Sequence, residues 1–286
     1  MNKNNKIWWY LGVVFVISYI WQYTIYCTGG IESPLFPIMM IFPAVIAVIF
    51  RLVKKEGFKT VGWKLKKWWY IFPAIFIPIA IVLGTVYILE IFNWGTWSEQ
   101  IFVFKDGMLE SSKIDLLLGR EIQSIAFFVL NFIVSHIVFL IGGSIFTFGE
   151  EFGWRGYAQE KLINKFGLNK GLILLGIIWG YWHLPIILMG YNFPEYPILG
   201  GLLLMPVMTI FLGIFFGWIY IRSGSIWIPV LVHTVINTMA QLFYGGMTIN
   251  QPVNLGILLF IAWGIVAGLC LYSLNKNKVN IKLATS

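Results

Sequence analysis

Charge is what this sequence has least of. Only 11% of its 286 residues are Asp, Glu, Lys or Arg, and 12 of them are acidic; a soluble domain carries about 25%. Histidine and cysteine are scarcer still, at three and two. Each shortage excludes something. So little charge in a chain that is 59% hydrophobic, with a mean hydropathy of +0.81, excludes a soluble globular domain. Two cysteines, Cys27 and Cys270, without C-x-x-C spacing exclude a disulfide framework and a thiol-based metal or redox motif. Both read as small apolar packing residues. There is also no polar block long enough for a second domain, no internal repeat and no low-complexity segment. The longest polar stretches, near 54–68 and 93–120, read as loops, and residues 1–286 as a single transmembrane domain.

What is present is a series of long apolar runs. A spanning helix needs about 20 mainly apolar residues, and eight runs qualify: 7–27, 35–53, 69–92, 122–147, 171–190, 197–221, 226–244 and 254–274. The fold expected is therefore an all-α polytopic membrane protein of about eight transmembrane helices. The first run is too long for a signal-peptide core and has no small-x-small cleavage site after it, so it reads as an uncleaved span.

The net charge of +8 does not point to nucleic acid. Seventeen of the 20 Lys and Arg fall in alternate loops and at the two ends, which is the positive-inside pattern and makes both termini cytoplasmic. Aromatic clusters at Trp8–Tyr10, Trp68–Tyr70 and Trp227 mark interfaces. The basic, Trp-rich segment from Phe58 to Tyr70 is expected to form a short amphipathic helix at the inner interface, with a similar outer one in 93–120. Gly149-x-x-x-Gly153 and Gly213-x-x-x-Gly217 permit close helix contact.

Ionisable residues inside spans are costly and mark functional sites by default. The candidates are Glu90, His136, Glu150, Glu151, Arg155, His183 and His233, which include every histidine in the chain. Glu151 and Arg155 stand at i and i+4, so one helix face carries both, with the acid N-terminal. Glu150 is turned by about 100° from that face and is the freer carboxylate. The competing structural reading makes this stretch a capped helix end at the cytoplasmic surface. His183 lies in Trp179-Gly180-Tyr181-Trp182-His183-Leu184-Pro185, well inside its span. His233 and Asn237, again i and i+4, can offer two donors to a developing oxyanion. His136 is about 21 Å along the helix from Glu150 and reads as structural; Glu90 reaches the outer interface. The stretch from Glu121 to Arg155 is about 51 Å as a straight helix. Span four must therefore start well after Glu121 or bend at Gly142-Gly143.

Glu150-Glu151-x-x-x-Arg155, Trp179-x-x-x-His183 and His233-x-x-x-Asn237, each in its own span and in this order, resemble the CPBP family. That family comprises the type II CAAX prenyl proteases and the bacteriocin-processing or immunity (Abi) proteins. The resemblance covers about 130–245 and is absent from the first three spans. It implies an intramembrane (metallo)endopeptidase in which Glu150 and His183 activate water. His233 and Asn237 would stabilise the oxyanion, and Glu151 with Arg155 would complete the first motif. Trp179 departs from the family's usual Phe, which leaves the size of the substrate pocket open.

The residues alone reach a compatible reading: carboxylate, imidazole and two donors suit amide hydrolysis, and no Ser or Cys stands out as a nucleophile. Glu150, His183 and His233 could instead ligate zinc with a fourth position for water, although H-E-x-x-H is absent. The expected partners are the lipid bilayer and a membrane-associated peptide or lipidated protein; nucleic acid is not among them. Abundant Ile, Asn and Lys suggest a bacterial plasma membrane. Two other readings compete: a membrane immunity or peptide-binding protein that does not cut, and a transporter with a Glu/His proton relay. The transporter would need repeated halves or paired broken helices, which the sequence lacks.

Overall fold

Long apolar segments in hydrocarbon must satisfy their backbone internally, and a helix does so within one segment. The computed structural model, which describes residues 6–97, 103–105, 108–110 and 123–276, is accordingly almost wholly helical. Helices α1 (Lys6–Cys27), α2 (Phe42–Val53) and α3 (Ile71–Ile91) come first. Short strands β1 (Gly95–Trp97), β2 (Val103–Lys105), β3 (Met108–Glu110) and β4 (Gln123–Ser124) lead to α4 (Ile125–Gly153). A π turn, Trp154–Gln159, joins α4 to α5 (Glu160–Phe166). Then come α6 (Leu168–Trp182), α7 (Leu184–Leu188), α8 (Pro197–Leu199), a second π turn (Gly200–Leu204) and α9 (Met205–Ser223). The chain continues through α10 (Trp227–Gly245), β5 (Met247–Ile249) and α11 (Pro252–Lys276).

The all-α polytopic membrane fold expected from composition is what the structure shows. Six helical runs among the described residues are long and apolar enough to cross a bilayer: Lys6–Cys27, Phe36–Val53, Trp68–Ile91, Ala126–Phe166, Pro197–Ser223 and Pro252–Lys276. The other two expected spans are shorter or less apolar. Residues 171–190 form most of α6 and then α7, and 226–244 form α10. The solvent this surface is made for is visible along α11, where Ile257, Ile261, Ile265 and Leu269 form an exposed row at i+4 spacing. Such a row is suited to lipid and would be an aggregation liability in water. Cys27 is exposed and Cys270 buried, and both are free thiols.

The chain forms two compact units. The first contains residues up to Tyr70, Phe146–Val230 and the residues from Trp263 onward. Its centre is the packing of α6 on α9. A Cβ on Gly176 would lie 2.5 Å from the Ile210 Cα, and one on Gly180 equally near the Pro206 Cα. Only glycine allows the two backbones to approach this closely. Thr209 Oγ1 then donates to the Gly176 carbonyl across the contact, at 2.8 Å. The Gly149-x-x-x-Gly153 spacing works the same way. A Cβ on Gly149 would strike the backbone of Met40 and Ile41, and one on Gly153 would strike Pro43.

Two expectations fail. The first concerns span four. The helix starts at Ile125 and is not broken at Gly142-Gly143; the irregularity comes later, at Trp154–Gln159. Helical structure thus continues past 147 to Phe166 and carries the acidic pair into a helix interior. A π turn takes backbone carbonyls out of the α pattern and is common at functional sites. Here the Gly156 carbonyl accepts a hydrogen bond from the buried Arg51, which also donates to the Gly57 carbonyl. The second concerns Phe58–Tyr70, which is not an amphipathic helix. It holds two short 3-10 turns, Lys59–Val61 and Trp68–Tyr70, with a strap between them. Ile226 N–H donates to the Gly62 carbonyl and the Trp227 indole to the Trp63 carbonyl. The Trp63 ring packs on Phe148 and Phe152. Tertiary partners therefore take up the hydrogen bonds and apolar face that a helix would have used.

The second unit contains Ile71–Ile145 and Leu231–Ala262. Its core gathers Val82, Val86 and Leu89 of α3 with Met247. Strand β1 pairs antiparallel with β5, Gly95 opposite Ile249. Among the described residues of 93–120 there are strands and no helix; the rest of that expected helix lies outside the described residues.

Candidate active site

Within the first unit the sequence-predicted residues Glu150, Glu151, Arg155 and His183 are all buried. Consecutive positions on α4 send Glu150 and Glu151 to different partners, as their roughly 100° offset requires. Glu151 Oε1 accepts from Arg155 Nη1 at 2.9 Å, with both side chains fully buried. The guanidinium is also held between two rings, 4.4 Å from the Trp179 centroid and 4.6 Å from that of Phe216 on α9. This placement depends on the glycine contact that brings α9 onto α6.

Glu150 turns instead to α6. Its Oε2 accepts a hydrogen bond from the Trp179 indole at 2.7 Å. Trp179 lies eleven residues into α6, about 16 Å along the helix from Leu168. The reading of this stretch as a capped end at the cytoplasmic surface is thereby set aside: Glu150 is 1% exposed and sits in a helix interior with no cap role.

His183 occupies the junction of α6 and α7. Pro185 explains the junction, since it has no N–H for the carbonyl four residues back and its ring crowds that carbonyl. The orphaned carbonyls are satisfied by α1: Tyr19 Oη donates to that of Tyr181, and Gln22 Nε2 to that of Trp182 at 3.0 Å. The first span, which carries no family motif, thus supports the site. His183 Nδ1 lies 2.8 Å from the Trp179 carbonyl. A carbonyl only accepts, so Nδ1 carries the proton and the neutral ring has its lone pair on Nε2. The Trp182 ring meets the imidazole edge-on at 4.7 Å.

Tyr191, in the loop after α7, was not singled out from sequence. Its phenol pKa is raised, first by burial and then by the negative charge of Glu150, which places it in the field of the same carboxylate. Its only sequence signal is its position after Gly190, whose positive φ of 98° turns the chain back.

In the second unit α10 carries the third motif. His233 is buried, whereas Asn237, one turn later, is exposed. Gly143 of α4 approaches Thr234 beside this histidine; a Cβ there would lie 3.4 Å from Thr234 Cγ2. His136 belongs to its own helix: Nδ1 bonds the Phe132 carbonyl at 2.7 Å and the ring packs on Phe132. Glu90 is exposed near the end of α3. Among the described residues no three His, Cys, Asp or Glu side chains form a group that could hold a metal ion.

Fold and site together define a polytopic membrane protein with a buried acid–imidazole pair. Residues 122–239 match the family model described as type II CAAX prenyl endopeptidase Rce1-like. The CAAX prenyl protease 2 of Methanococcus maripaludis is 30% identical over 130 residues, covering 41% of this chain and 44% of that protein. The chain thus spans a little under half the length of that relative. Both matches fall on the region that carries the three motifs and agree with its resemblance to the CPBP family.

Proposed function

We propose that the protein is an intramembrane endopeptidase that hydrolyses peptide bonds of membrane-associated substrates. Prenylated and bacteriocin-type peptides are the classes that suit its family region. The observation that carries this reading is the pairing of Glu150 and His183 through one residue, Trp179, at buried positions. Glu150 and the Nε2 of His183 are two proton acceptors suited to take a proton from water, so that the hydroxide oxygen attacks the scissile carbonyl carbon. The family resemblance assigns stabilisation of the oxyanion to donors from His233 and Asn237, a role in which preorganised hydrogen bonds contribute most. Collapse of the tetrahedral intermediate breaks the C–N bond, and the proton taken from water goes to the departing amine. Glu151 and Arg155 hold the helices rather than react.

The protein is read as a multi-pass component of a bacterial plasma membrane with both termini cytoplasmic, where its basic loops favour anionic lipid surfaces. Purified protein in detergent is expected to cleave a membrane-borne reporter peptide, and Glu150→Ala or His183→Ala to abolish cleavage. Full activity in either variant removes the mechanism.

A further inference from the structure

We propose that Trp179 is a positioning residue that holds Glu150 and His183 in register for water activation, through its indole N–H and its own carbonyl. This rests on the reading of Glu150 and His183 as the water-activating pair, and it adds a residue that neither acid nor base supplies.

The two contacts differ in kind. An indole nitrogen donates only, and at 2.7 Å from Glu150 Oε2 it fixes that carboxylate oxygen in place. The backbone carbonyl of the same residue accepts from His183 Nδ1 at 2.8 Å, which sets the tautomer and ring orientation. One residue thereby determines where both proton acceptors point. Trp179 is itself immobilised. It is 3% exposed, its ring lies 5.6 Å from that of Phe216, and the Arg155 guanidinium stacks on its face. A cation on the ring face draws electron density from the indole and strengthens its N–H as a donor. The adjacent Gly180 closes α6 on Pro206, so the backbone that carries the accepting carbonyl cannot drift. A phenyl ring at 179 would keep the packing against Phe216 and Arg155 and would have no N–H to offer Glu150. The tryptophan is therefore more than a bulky spacer one turn before His183.

The test is Trp179→Phe, with Glu150→Gln as its partner. In wild-type protein labelled with 15N at indole and held in detergent micelles, the resonance absent from Trp179→Phe identifies the Trp179 N–H. It is expected at low field, and it should move upfield in Glu150→Gln, where the acceptor loses its charge. In cleavage assays Trp179→Phe should lower kcat by about tenfold to a hundredfold, the loss of one hydrogen bond to a charged group. KM should stay unchanged, a split that general loosening of the fold would not produce. An indole resonance indifferent to Glu150→Gln, or a Trp179→Phe enzyme with wild-type kcat, overturns the proposal. The spectrum needs no turnover. If the protein cleaves no peptide, the functional reading fails by itself, while the resonance still decides whether Trp179 holds Glu150.

Discussion

At the scale of single residues, the two adjacent glutamates have separate tasks. A fully buried ion pair such as Glu151–Arg155 adds little net stability over an apolar pair, but removing one partner leaves an uncompensated charge and costs about 3–5 kcal/mol. Arg155→Ala also empties the space between the Trp179 and Phe216 rings. It is expected to unfold at a clearly lower temperature in detergent, whereas Glu150→Gln, which keeps an acceptor for the indole, is expected to melt close to wild type. A parallel thermal denaturation series checks this; equal melting of Arg155→Ala and wild type would falsify the structural role of the pair. The Glu151–Arg155 contact was readable from the sequence because i,i+4 spacing is a property of one helix. The Trp179–Glu150 bond was not. Its partners are 29 residues apart on different helices, and no periodicity encodes such a meeting. The exposure of Asn237 beside a buried His233 was equally hidden, because helical spacing fixes a face and not what covers it.

At the scale of elements, glycine positions decide which helices meet. Gly180→Val would drive a side chain into the Pro206 Cα and Thr209 Oγ1, and should separate α6 from α9. Gly142→Ala, which meets nothing within 4 Å, should be neutral or slightly stabilising, by up to about 1 kcal/mol from helix propensity. Yield and thermal stability of the purified variants distinguish the two; a tolerated Gly180→Val would contradict the packing described here. Hydropathy located most helices correctly, since it reports what the bilayer requires of any span. It misplaced the end of α4 because charged residues read as a loop until their partners are known. Glu151 and Arg155 neutralise each other in space, and the helix runs on through the π turn to Phe166. The strap at Phe58–Tyr70 looked helical because its basic and aromatic residues fit an interfacial helix. Its backbone instead bonds to Ile226 and its Trp63 carbonyl to Trp227, contacts far away in sequence.

At the scale of the whole molecule, the distribution of basic residues sets the orientation to be tested. The proposed orientation, with both termini cytoplasmic, turns Cys27 at the end of α1 outward; Cys27 is exposed, whereas Cys270 on α11 is buried. A membrane-impermeant maleimide added to intact cells is expected to label Cys27, to leave Cys270 untouched, and to lose its signal in Cys27→Ser. Labelling of Cys27 only after the membrane is opened would invert the topology. The ion pair and the glycine contacts hold the first unit, while Trp179 contacts both Glu150 and His183 and α1 backs their helix junction; the proposed chemistry is placed on Glu150 and His183. The most direct measurement of that claim is peptide cleavage by purified Glu150→Gln protein in detergent, made on samples shown to melt like wild type. The variant is expected to be folded and to give no detectable cleavage. Cleavage at the wild-type rate by that folded variant would contradict it.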